Sequence, residues 1–126
     1  MEYKSQGKIM NIQIFGKQKC SDTKKAERFF KERNIKFQFI DIDKYGISKG
    51  EYQSIKSAVG SIEYLINKKS KEYESQFIGH LSSQDDVEER LLANPGMFNT
   101  PIVRDGKNAT VGYKPDVWGG WISGGK

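Results

Sequence analysis

The sequence predicts an α/β domain built on a small mixed sheet, in the order β-α-β, helical insertion, β-β, α. Two observations carry the first half. The runs Asn11-Ile-Gln-Ile-Phe15 and Phe37-Gln-Phe-Ile-Asp-Ile42 have strand character, and the segment between them has apolar residues at helical spacing. One observation carries the second half: two β segments flank the turn Asp105-Gly-Lys-Asn108, and Pro115 follows as a helix starter.

In the first strand Ile12 and Ile14 alternate with polar residues, and in the second Phe37, Phe39, Ile40 and Ile42 form the apolar set. Ser21 to Arg33 places Ala26, Phe29 and Phe30 on one stripe among Lys, Glu and Arg. A helical connection of this length implies parallel strands joined by a right-handed crossover.

A helical insertion is expected over about 46–95. Ser48-Lys-Gly-Glu51 has the S-x-x-E form of a capping box, with Tyr52, Ile55 and Val59 on one face and Gly60 as the stop. Ser61 to Ile66 and Lys71 to Ile78 read as short helical pieces. Ser83 to Ala93 reads as a longer helix with Asp85 and Asp86 in its acidic first turn, ended by Asn94-Pro-Gly96. Ile102-Val-Arg104 and Ala109 to Tyr113 then form a hairpin, because Gly and Asn accept the turn conformations that most residues resist. The last helix runs from Pro115 through Trp118. Residues 119–126 are expected to be a flexible tail, since the Gly120 to Lys126 match to a phosphate-loop pattern lacks the following Ser or Thr and the flanking strand and helix.

At 126 residues the chain is expected to be one domain, 1–126. The opening MEYKSQGKIM has no apolar run of the kind a secretory signal needs, and no run approaches the roughly 18 apolar residues of a membrane span. The expected setting is therefore the cytoplasm, with no membrane partner. The charge of +5 comes from 21 basic against 16 acidic residues, mostly scattered Lys, which reads as a solubilising surface in preference to a nucleic-acid footprint. His80, the one histidine, has no ligand cluster at metal spacing, so no metal site is expected.

Cys20 is the one cysteine, and it falls between the first strand and the first helix. A helix start offers free amides and the positive end of the dipole, both of which favour a thiolate. Lys17, Lys19, Lys24 and Lys25 add positive field, while Asp22 opposes ionisation. The expected outcome is a reactive thiol with a pKa of roughly 5 to 7.5. Ser21, Thr23 and Lys24 are the expected stabilisers of the thiolate or of a bound oxyanion. Thr23 stands where a C-x-x-C pair would have its second cysteine, so any disulfide of Cys20 must be mixed.

The strand followed by Cys20-Ser-Asp-Thr-Lys-Lys-Ala26, the Phe39-Ile-Asp-Ile42 strand, the helical insertion, Thr100-Pro-Ile-Val103 and Val111-Gly-Tyr-Lys-Pro115 together resemble the arsenate reductase family related to Spx and YffB. The resemblance covers about residues 10 to 120 and implies a thioredoxin-like fold. It implies that Cys20 is the nucleophile, that Pro101 is cis and lies beside it, and that Thr100, Pro101 and Lys114 bind the thiol partner.

It also implies a departure. The family's arginines fall here at Thr100, at Lys114 and near Glu63, and a lysine does not reproduce the forked donors that hold a tetrahedral oxyanion. The missing arginines argue against arsenate as the acceptor, unless Arg104 points toward Cys20. The expected activity is that of a single-cysteine, glutathione-dependent thiol reductase of the YffB-like kind. No cofactor would be bound; glutathione would be the co-substrate, and glutathione or a glutaredoxin-like protein the partner, with a small oxyanion as a further ligand. The alternative is an Spx-like transcription regulator acting on RNA polymerase, or another non-catalytic binding protein.

Overall fold

Residues 10–75 and 83–123 are described by the computed structural model. Ile12 and Ile14 on one face and Phe15 on the other set up β1 (Ile12–Gly16), which is buried on both faces inside a four-stranded sheet. The other strands are β2 (Phe37–Asp41), β3 (Ile102–Asp105) and β4 (Asn108–Val111). In spatial order they run β2-β1-β3-β4. β1 pairs in parallel with β2, Ile12 opposite Phe37, and antiparallel with β3, Phe15 opposite Ile102. The sheet is mixed, as expected.

Between β1 and β2 lies α1 (Ser21–Glu32), which buries Thr23, Ala26, Phe29 and Phe30. With α6 (Pro115–Ser123) it covers the sheet face carrying Ile12, Ile14 and Val103. The opposite face, with Phe15 and Ile102, is covered by the insertion. There α3 (Lys49–Val59) starts on the full Ser48–Glu51 capping box and stops at Gly60, whose φ of +94° suits a residue without a β-carbon. It is followed by α4 (Lys71–Ser75) and α5 (Gln84–Ala93), the latter capped by Ser83. Residues 76–78 of the expected fourth helical piece, and His80, lie outside the described residues. No helix among the described residues is long and apolar enough to cross a membrane.

Three elements before the C-terminal helix differ from the sequence expectation. Ile42 does not continue β2 but opens the one-turn helix α2 (Ile42–Tyr45), because Asp41 caps it by accepting from the Asp43 amide at 3.1 Å. Ser61 to Ile66 is not a helix throughout: a single 3₁₀ turn (Ile62–Tyr64) gives way to an antiparallel bridge between Ile66 and Phe98. The hairpin strand ends at Val111, since Gly112 has φ +87°.

The expected tail is helical over 119–123, in α6, while 124–126 lie outside the described residues. Two glycines there cost about 1 kcal/mol each relative to alanine. Trp121 and Ile122, three and four residues beyond the fully buried Trp118, pack on the same core and offset that cost. The Trp118 indole also donates to Thr110 Oγ1 at 2.8 Å, tying α6 to β4.

Candidate functional site

Cys20 is the N-cap residue of α1, with extended backbone (φ −83°, ψ 117°), and its side chain is partly exposed. The thiol makes no cap bond to the helix; it donates instead to the backbone carbonyl of Thr100 at 3.6 Å. The Thr100–Pro101 peptide is cis, and Pro101 is buried.

Behind the sulfur, Thr23 is buried and, among the described residues, its hydroxyl has no hydrogen-bond partner. Partial burial pushes the Cys20 pKa up, but donors outweigh it and hold the thiol below its ordinary value. Those donors are the side chains of Thr100 and Thr23 and the amides of Thr23 and Asp22. A thiolate accepts where the thiol donates, and the Thr23 hydroxyl and first-turn amides are among the groups that favour it.

Of the lysines anticipated as the source of the field, Lys17 and Lys19 line a cleft together with Cys20, while Lys24 and Lys25 do not line it. Lys17 Nζ donates to the carbonyls of Gly96 at 2.8 Å and Phe98 at 3.1 Å. Lys25 pairs with Asp22 at 3.8 Å, and Lys19 and Lys24 are exposed. Ser21 is exposed as well, and neither it nor Lys24 lines a cleft beside the sulfur. Thr23 is therefore the member of the Ser21, Thr23, Lys24 set whose side chain the fold brings to the thiol.

Two clefts flank Thr100. One, of about 680 Å³, is lined by Cys20 itself with Lys17, Lys19, Asp41, Asn67 and Asn99. The other, of about 660 Å³, is lined by Val59, Tyr64, Val111, Lys114 and Val117 among others, with Asn99 and Thr100 shared between the two. Lys114 is thus near Thr100 but across it from the Cys20-lined cleft. Arg104 lines neither: it donates to Gln13 Oε1 at 2.9 Å and lies over the Phe15 ring. Glu63 pairs with Lys68 at 2.9 Å. Among the described residues neither cleft has an arginine in its wall.

The strip leading to Thr100 is fixed from two sides. Asn99 donates from its side chain to the carbonyls of Tyr64 and Ile66 at 3.0 and 3.1 Å, and from its amide to Leu65 at 2.7 Å. Lys17 holds the same strip from the opposite loop. Lys17 in this clamping role, Asn67, Asn99 and Asp41 are site residues that sequence reasoning missed. They converge from four separated segments, and no local pattern announces that convergence. Among the described residues no group of three His, Cys, Asp or Glu side chains could hold a metal.

A sequence model of the ArsC family matches residues 15–120. The chain belongs to the ArsC family. Two curated relatives each align with 85% of this chain. YusI of Bacillus subtilis, an uncharacterized protein, is 26% identical over 94% of its own length. The global transcriptional regulator Spx 2 of Oceanobacillus iheyensis is 28% identical over 80% of its length. Among solved structures, an arsenate reductase from Vibrio cholerae superposes with a TM-score of 0.78 at 20% identity, covering 87% of this chain and 96% of its own. At that identity the likeness is one of fold, and the fold is the thioredoxin-like one of the ArsC family.

Proposed function

We propose that this ArsC-family protein is a thiol–disulfide reductase in which Cys20 is the single nucleophile and glutathione the co-substrate, acting in the cytoplasm. The observation that carries the reading is the setting of the one thiol: partly exposed at a helix start, against the Thr100 carbonyl, with nearby hydroxyl and amide groups that lower its pKa. In the first step the Cys20 thiolate attacks the glutathionyl sulfur of a glutathione mixed disulfide, forming a Cys20–glutathione disulfide and expelling the other sulfur as thiolate. In the second, a glutathione thiolate attacks the glutathionyl sulfur of that adduct, forming oxidised glutathione and returning Cys20 as thiolate. Two electrons pass from glutathione to substrate, with no second cysteine needed. A glutaredoxin-like protein could take the place of glutathione in the second step.

Arsenate fits this site poorly as an acceptor. The walls beside Cys20 offer lysine ammoniums and amides in place of the forked arginine donors that grip a tetrahedral oxyanion. The test is turnover of a glutathione mixed disulfide with glutathione and glutathione reductase, beside a parallel assay with arsenate. The expected result is disulfide turnover that Cys20→Ser abolishes without loss of fold, and no arsenate reduction. Turnover retained by Cys20→Ser would sink the reading.

A second reading is favoured by the 28% identity to Spx 2: a regulator that binds RNA polymerase. With Thr23 in place of a second cysteine it could not switch by an internal disulfide. Binding to purified RNA polymerase, unaffected by Cys20→Ser, together with no turnover, would establish that reading in place of the first.

A further inference from the structure

We propose that Lys17 is the carboxylate anchor of the site, so that the anionic end of the disulfide substrate lies in the Cys20-lined cleft and not in the cleft of Lys114. The proposal rests on the thiol–disulfide reading and adds to it the side of Thr100 on which the substrate is held, and by what. An ammonium has three N–H donors. Two of those on Lys17 are taken by the Gly96 and Phe98 carbonyls, which fix Nζ in place, and the side chain lines the cleft that Cys20 lines. The third donor and the positive charge remain for a ligand. A charge held in advance spends no side-chain entropy on binding, unlike the exposed Lys114.

The same walls limit the charge that fits. Asp41 is occupied on both oxygens, by the Asp43 amide and by Gln18 Nε2, each at 3.1 Å. Asp43 is exposed in the same cleft and disfavours a second negative charge. Asn67 and Asn99 add neutral polar groups to the wall. The substrate class is therefore a small disulfide whose half entering this cleft has at most one carboxylate in excess of its ammonium groups, a condition that a glutathionyl half meets. Lys17 touches the carboxylate and not the sulfur, so it acts on anionic substrates without having to set the thiol pKa.

Two coloured disulfides test this. Cys20 thiolate attacks 5,5′-dithiobis(2-nitrobenzoate), one carboxylate on each half, or the neutral 4,4′-dithiodipyridine; each reaction forms a mixed disulfide and releases one aryl thiolate. The ratio of the two rate constants cancels the thiolate fraction. In Lys17→Met this ratio should fall about three- to fivefold, the upper range for an incompletely buried ion pair, and Lys17→Arg should restore part of it. A fall in Lys114→Met in place of Lys17→Met overturns the proposal by putting the anion in the other cleft. An equal fall in the distant Lys36→Met overturns it by showing only the summed field. Should Lys17→Met not fold, the unsubstituted protein serves, labelled with ¹⁵N and titrated with sodium acetate against sodium chloride of equal ionic strength. Amide shifts at Lys17, Asn67 and Asn99 are expected, and shifts confined to 110–114 refute the assignment. Rates at or below those of free cysteine with both reagents would instead count against the reactive thiol itself, a separate failure.

Discussion

Thr23 lies so close over Gly16 that a β-carbon added to Gly16 would overlap Thr23 Cγ2 and stand 2.7 Å from its Oγ1. The end of β1 and the first turn of α1 are thus seated against each other through a missing side chain, and the hydroxyl facing Cys20 is held by that seat. Gly16→Ala must push one of them aside. We expect a loss of about 1–3 kcal/mol, the usual cost of overpacking, measured by urea unfolding. Because Thr23 is displaced, the pH midpoint of Cys20 alkylation by iodoacetamide should rise in the same variant. A destabilised variant with an unchanged midpoint would detach Thr23 from the thiol.

Thr23→Val separates stability from reactivity. The hydroxyl is buried without a partner, and leaving a polar group so costs about 1–3 kcal/mol, part of which the isosteric methyl recovers. Valine should therefore raise the melting temperature slightly. It should also raise the Cys20 midpoint, since one thiolate donor is gone. Both changes falling together would contradict the account.

The lowered thiol pKa has a signature in stability. The folded state gives up the Cys20 proton more readily than the unfolded chain, whose thiol titrates near 8.5. The contribution is present above that unfolded value and is lost as pH falls through the folded one. Unfolding free energy of the unsubstituted protein, less that of the non-titrating Cys20→Ser, should rise with pH through this window and level off above it. A difference flat from pH 5 to 10 would mean that the fold does not favour the thiolate.

Much of this was legible in the chain. Ile12 and Ile14, the Ala26, Phe29, Phe30 stripe and the Ser48–Glu51 box each specify an element by local chemistry alone, and each formed as read. What was misread depended on distant partners. Trp121 and Ile122 look like a glycine-diluted tail until the core that receives them is known. Ile42 looks like strand until Asp41 turns back to cap the next residues. The Cys20 site divides in the same way: the cysteine, the helix start and the positive charge of Lys17 are visible in the sequence, but the clamping role of Lys17 is not. Its bonds to Gly96 and Phe98 span about eighty residues, and no local pattern reports a contact of that kind.

The insertion has its own polar lock, and it should respond to pH at both ends. Tyr52 Oη and Lys56 Nζ each donate to Glu88 Oε2 at 2.6 Å, joining α3 to α5. Burial works against the Glu88 charge, but the bonds from Lys56 and Tyr52 outweigh it and hold its pKa below the usual carboxylate range. Tyr52 is pushed well above the usual phenol range by burial first and by the Glu88 bond and charge second. The Glu88 contribution is therefore complete above about pH 4.3, the unfolded value, and is lost as pH falls through the folded one. That of Tyr52 is complete below about pH 10 and is lost as pH rises toward its folded value. Glu88→Gln should cost about 1–2 kcal/mol at pH 7, because the Glu88 and Lys56 side chains are only 13% and 25% exposed and the lost bonds are charge-assisted. Its stability should also fall less steeply than that of the unsubstituted protein between pH 5 and 3. Equal acid slopes in the two proteins would show that Glu88 keeps an ordinary pKa and that the lock holds by packing alone.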